Sequence, residues 1–122
     1  MTRPVHGFGP PADTSLDLGV IGNCAISALV DAHGRIVWSC LPRFDGDPVF
    51  CALLGGDRAT DGSWAIEIED LAEARQRYEP NTAVLITELH DRHGQAVRIT
   101  DFAPRFASRG RYFRPMQIVL RV

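Results

Sequence analysis

Two four-residue strings, Asp31-Ala32-His33-Gly34 and Asp91-Arg92-His93-Gly94, constrain this chain more than any other feature. An Asp that opens a turn accepts hydrogen bonds from the backbone that follows it, and a Gly in fourth place takes positive φ. Together they predict a type I turn with a G1 bulge, the connection of a tight hairpin. Both strings lie between apolar runs: Cys24 to Val30 and Arg35 to Leu41 around the first, Val84 to His90 and Gln95 to Thr100 around the second. The chain is therefore expected to be an antiparallel β protein. Turn chemistry alone can converge on such strings, so their recurrence does not establish a sequence repeat.

Alternation then assigns faces. Leu85, Thr87 and Leu89 share one face, with Val84, Ile86 and Glu88 on the other. On the return strand Val97 and Ile99 oppose Arg98 and Thr100. Trp64-Ala65-Ile66-Glu67-Ile68-Glu69 predicts a further strand, with Trp64, Ile66 and Ile68 inward. Ala72 to Tyr78 is compatible with a strand or with a short helix capped by Asp70. A two-turn helix is expected near residues 48–54: Asp47 caps, Pro48 takes the first helical position, and Gly55 closes the end. Tyr112 to Val122 is expected to be one apolar strand running to the last residue. An unpunctuated apolar strand there predicts a chain that continues, and self-association through residues 112–122.

A chain of 122 residues has room for one domain and none for a large catalytic barrel. Residues 1–16 carry Pro4, Gly7, Gly9, Pro10 and Pro11 and are expected to form a flexible arm. The 45% apolar content and net charge of −2 exclude a disordered chain or an obvious polyanion binder. No apolar run approaches ~18 residues, so no membrane span is expected. The opening residues lack a signal-peptide core, which points to the cytoplasm. Cys24, Cys40 and Cys51 lack metal-type spacing and are expected to be free, buried thiols.

Candidates for chemistry are few. Asp45 and Asp47 stand two apart, as an acid pair or a metal-binding D-x-D would. The simpler assignment makes Asp47 a helix cap and pairs Asp45 with Arg43. His33, His90 and His93 belong to turns and are expected to be solvated. No nucleophile elbow, phosphate loop or metal motif is present, so no catalytic residue, metal or cofactor is assigned. Arg98, Arg105, Arg109, Arg111, Arg114 and Arg121 crowd the last 25 residues beside a single acid, Asp101. Aromatic residues interleave with them, as on a single-stranded nucleic-acid face. The seven arginines and fourteen acids elsewhere make intramolecular pairing the better expectation, and no nucleic-acid partner is assigned.

Several strings carry a resemblance to a known family. They are Asp17-Leu18-Gly19-Val20-Ile21-Gly22-Asn23, the run from Gly34 to Asp45 through Trp38-Ser39-Cys40-Leu41-Pro42-Arg43-Phe44, and Val49 to Gly55. Gly62-Ser63-Trp64, Arg77-Tyr78-Glu79-Pro80-Asn81-Thr82 and Thr100-Asp101-Phe102-Ala103-Pro104 complete them. From residue 17 onward the chain resembles the N-terminal domain of bacterial glycoside hydrolase family 15 proteins, the glucoamylase and trehalase-like enzymes. Leu18 stands where an aromatic is usual, and Ser39 where a larger apolar residue is.

The resemblance implies an all-β antiparallel β-sandwich, part of a supersandwich, over residues 17–122. This would be the first half of a longer sandwich joined to an (α/α)6 barrel that holds the family's catalytic glutamates. It also tilts Ala74 to Tyr78 toward strand. The expected function is a non-catalytic accessory domain of a hydrolase acting on α-glucan or trehalose. Arg43, Phe44 and Asp45 are expected to touch the barrel or its substrate, because site residues collect in loops. The competing expectation is a stand-alone carbohydrate-binding sandwich presenting Trp38, Trp64 or Tyr78 in a stripe. Against it, Trp is on average well buried, which places Trp38 and Trp64 in the core.

Overall fold

A computed structural model describes residues 16–54 and 62–122. The expected N-terminal arm and the helix-closing Gly55 thus fall outside the described residues, apart from Leu16. Both hairpins form as their turns dictate. Strands β1 (Gly19–Gly22), β2 (Ser27–Val30), β3 (Ile36–Cys40) and β4 (Pro48–Phe50) make one antiparallel sheet in sequential order. Strands β5 (Leu71–Tyr78), β6 (Leu85–Asp91) and β7 (Ala96–Phe102) make a second, which β10 (Val119–Arg121) joins beside β7. Between them β8 (Phe106–Ser108) and β9 (Arg111–Phe113) form a separate two-stranded arm.

The two turns are chemically the same. Asp31 Oδ1 accepts from the amides of His33 and Arg35 at 2.9 and 3.0 Å. Asp91 Oδ1 accepts from those of His93 and Gln95, both at 2.8 Å. Gly34 and Gly94 have φ of 77° and 87°, the left-handed value a G1 bulge requires.

The two sheets face each other as a sandwich, with the core between them. Ile21, Ala28, Val30 and Ile36 from the first sheet meet Leu85 from the second, flanked by Phe50, Trp64, Ile118 and Leu120. Register puts Thr87 opposite Ile99 and Leu89 opposite Val97, as the alternation requires. The outward face of the second sheet is charged: Glu88 lies 2.9 Å from Arg98 and 3.5 Å from Arg77. Hydrogen bonding from Arg98, with Arg77 beside it, holds the Glu88 carboxyl below the usual range. The first sheet instead turns a row of Val20, Leu29 and Trp38 away from the core.

Three expectations change. Pro48–Phe50 pairs with β3 as a strand, and only Ala52–Leu54 winds into a single 3-10 turn. Pro48 has no amide hydrogen to give, which suits an edge strand as well as a helix start, and the free side of β3 decides between them. Asp47 accordingly precedes a strand and caps no helix. Trp64–Glu69 yields one bridge, Trp64 to Ile36, and no ladder. Tyr112–Val122 is not one strand, because β9 ends at Phe113 and the chain returns as β10 only at Val119, with Pro115 in the break between them. Leu71–Tyr78, the ambiguous segment, is a strand along its whole length.

Candidate functional site

The predicted site string occupies the turn between β3 and β4. Arg43 Nη2 donates to Asp45 Oδ2 at 2.8 Å, and the two side chains are 75% and 70% exposed. The Gly46 amide closes the turn on the Arg43 carbonyl at 3.0 Å, and Phe44 stands exposed between the charged pair. The structure thus keeps Arg43, Phe44 and Asp45 together and presents all three outward. Asp45 is engaged by Arg43, as the simpler assignment has it, and Asp47 is exposed beside it.

Asp91 lines a cleft of about 480 Å³ with Glu69, Asp70 and His93. The amides of Gln95 and His93 hold its carboxyl below the usual range, the reverse of what a general acid needs. His93 Nε2 lies 3.3 Å from Asp70 Oδ2. Asp101 is 0% exposed, between Leu85 and Leu120 in the strand register, and both carboxyl oxygens lack a hydrogen-bond partner among the described residues. Burial pushes its pKa up to about 6.

A second site gathers around Asn23, in the β1–β2 turn. This buried side chain makes four hydrogen bonds. Its Oδ1 accepts from the amides of Ala25 and Ile26 at 3.0 and 3.1 Å. Its Nδ2 donates to the carbonyls of Pro104 at 3.0 Å and Pro115 at 2.7 Å. Pro104 precedes β8 and Pro115 follows β9, so one amide clamps both legs of the arm. An open cleft of about 590 Å³ lies at its foot, lined by Cys24, Val84, Phe102 and Phe106 among others. All three thiols are free, but only Cys40 is buried: Cys51 is half-buried and Cys24 exposed, so the expectation of burial holds for Cys40 alone.

The arm turns through Arg109 and Gly110, both at positive φ, as a two-residue I′ hairpin loop does. Phe106 and Phe113 stack across it with ring centroids 5.5 Å apart. On its other face the Arg105 guanidinium sits 5.0 Å above the Tyr112 ring. The sequence reading missed this hairpin because Arg-Gly is a poor I′ signal beside Asn-Gly or Asp-Gly. The arginine expectation also changes: among the described residues Arg98 pairs with Glu88, while Arg105, Arg109, Arg111, Arg114 and Arg121 meet no carboxylate. Trp38 and Trp64 are both half-buried: Trp64 packs against the core as expected, whereas Trp38 lies beside Leu29 on the face turned away from it, so the core expectation fails for Trp38. No described helix is long and apolar enough to cross a membrane.

Known proteins place this architecture. The trehalase-like N-terminal domain family matches residues 7–113. A trehalase of Thermoplasma volcanium is 38% identical over 88 residues, covering 70% of this chain and 14% of the relative. Trehalase 1 of Sulfolobus acidocaldarius is 45% identical over 89 residues, covering 71% and 15%. A trehalase of Mycolicibacterium smegmatis is 30% identical over 94 residues, covering 71% and 14%. The chain therefore spans about 14–15% of the length of these curated relatives. No solved structure matches it at a significant level. By the family match over most of its length, the chain belongs to the trehalase-like N-terminal domain family.

Proposed function

We propose that this chain is the non-catalytic accessory domain of a trehalase-type glycoside hydrolase acting on an α-glucosidic bond. The observation that carries the reading is that the trehalase-like N-terminal family matches residues 7–113, while about 70% of the chain aligns with only 14–15% of the length of much longer trehalases. The carboxylates support it, since Asp31 and Asp91 are spent on turns and Asp45 on Arg43. Cleavage of a glycosidic bond takes two carboxyls on opposite sides of it. In this reading an (α/α)6 barrel of glycoside hydrolase family 15 type supplies them, with glucoamylase and trehalase activities both within the class. The sandwich packs on that barrel through its exposed turns, Arg43-Phe44-Asp45 included. The location is cytoplasmic, in keeping with three free thiols.

Calorimetry tests the assignment. The isolated chain releases no heat with trehalose or maltooligosaccharide, while the full polypeptide containing it hydrolyses one of them. Saturable sugar binding by the isolated chain overturns the reading in favour of a stand-alone carbohydrate-binding module.

A further inference from the structure

The arm formed by β8 and β9 has no structural reason of its own to exist. Its strands pair only with each other and pack on no other described strand. A lone two-stranded hairpin is marginal in water. This one is nevertheless fixed in place at its root, by the buried Asn23 amide on Pro104 and Pro115. Its aromatic rings face outward: Phe106 is 51% exposed, Phe113 45% and Tyr112 70%. Exposed apolar surface gathered in one place, unlike a scattered residue, marks an interaction site.

Composition and charge narrow the partner. From Phe102 to Val122 the chain holds five arginines and no acid. None of the five meets a carboxylate among the described residues, so the arm is a cationic projection on a chain of net charge −2. Tyrosine and arginine are the residue types that dominate protein–protein hot spots. Aromatic rings on both faces of the hairpin call for a recess that takes the arm in from two sides, because a flat partner would leave one face wet.

We infer that this arm is a docking finger that inserts into an acidic, apolar-floored recess on the hydrolytic part of the same polypeptide. The inference rests on the accessory-domain reading above. Asn23 presets the finger's direction, which lowers the ordering cost of docking. Guanidinium groups at its root and tip then find the carboxylates that this domain does not supply, and their complementarity fixes register.

Hydrogen exchange of the amides of residues 106–113 tests this, compared between the 122-residue chain and the full polypeptide containing it. Docking slows exchange in the full polypeptide at least tenfold. The double variant Arg105→Glu, Arg111→Glu returns it to the isolated rate. The same variant of the isolated chain keeps its wild-type circular dichroism, because the strands of the finger pair with neither sheet. Equal exchange in both proteins overturns the inference. So does protection of the isolated chain that grows with its concentration, which indicates a second copy, or that appears on adding single-stranded DNA. Trehalose hydrolysis by the full polypeptide is measured separately. Hydrolysis with an unprotected finger defeats the finger alone, and a protected finger without hydrolysis defeats the enzymatic reading alone.

Discussion

The hydroxyl of Tyr78, on the edge strand β5, takes the place of a missing neighbour strand for Val20 on the edge strand β1. It accepts from the Val20 amide at 2.8 Å and donates to the Val20 carbonyl at 2.9 Å. One phenol thus satisfies both backbone groups at an open sheet edge and ties the two sheets together on that side. Deeper along β5, Gln76 Nε2 makes a parallel tie, donating to the Asp31 carbonyl at 2.8 Å and to Thr87 Oγ1 at 3.1 Å.

Tyr78→Phe keeps the ring and removes both bonds. A net hydrogen bond contributes roughly 0.5–1.5 kcal/mol, and this pair is partly exposed, so a loss of about 1–2 kcal/mol is expected. Urea unfolding checks it; an unchanged midpoint would show that water replaces the phenol at no cost.

Asn23→Ala removes four hydrogen bonds at a buried site and is expected to cost roughly 2–4 kcal/mol. Its signature is spatial as well as energetic. Resonances of residues 104–115 should shift and broaden in NMR spectra while those of the Asp91 turn stay fixed.

The two turn glycines separate by packing. Gly94→Ala pays only for positive φ, about 1 kcal/mol, since nothing lies within 4 Å of the added carbon. Gly34→Ala adds a contact of 3.2 Å with Thr87 and 3.3 Å with Ile99 Cδ1. Overpacking of that kind costs roughly another 1–3 kcal/mol. Equal losses in thermal melts would refute the seating of the first turn on the second sheet.

Asp101 makes stability depend on pH. Its folded pKa of about 6 stands above the unfolded 3.8, because burial favours the neutral form. The stabilisation is complete below about pH 4 and is lost as pH rises through 6, amounting to about 3 kcal/mol. Asp101→Asn should therefore gain stability relative to the parent chain between pH 4 and 7. A difference between the two that stays flat with pH excludes this carboxyl as the cause. Glu88 and Asp91, both held low, act in the opposite direction at the surface.

Arg43→Ala and Asp45→Ala should leave the isolated chain unchanged within about 0.5 kcal/mol, as exposed ion pairs do. In the full polypeptide the same changes should lower activity or the melting temperature if this turn meets the barrel. Unchanged kinetics and melting there would remove the turn from the interface.

Local chemistry alone made the two Asp-x-His-Gly hairpins legible, together with the faces of β6 and β7 and the Arg43–Asp45 pair. Each depends on residues a few positions apart or on simple alternation, so the backbone carries the instruction wherever the segment lies. The β4 strand depended instead on a free neighbour, because Pro48 suits a helix start and an edge strand alike. The finger was hidden for a related reason: an Arg-Gly turn carries little signal, and its anchor lies 81 and 92 residues away in the chain.

The same limit separates the two turns themselves. Sequence determines that Asp31 and Asp91 fold their loops alike, since each aspartate binds the amides two and four residues on. Only the packing of one sheet on the other makes Gly34 a core position and leaves Gly94 in solvent. It likewise buries Asp101 and gives Asn23 both legs of the finger to hold. Those outcomes arise from contacts between segments distant in sequence, where apolar burial and unsatisfied carbonyls, rather than turn chemistry, decide which groups meet.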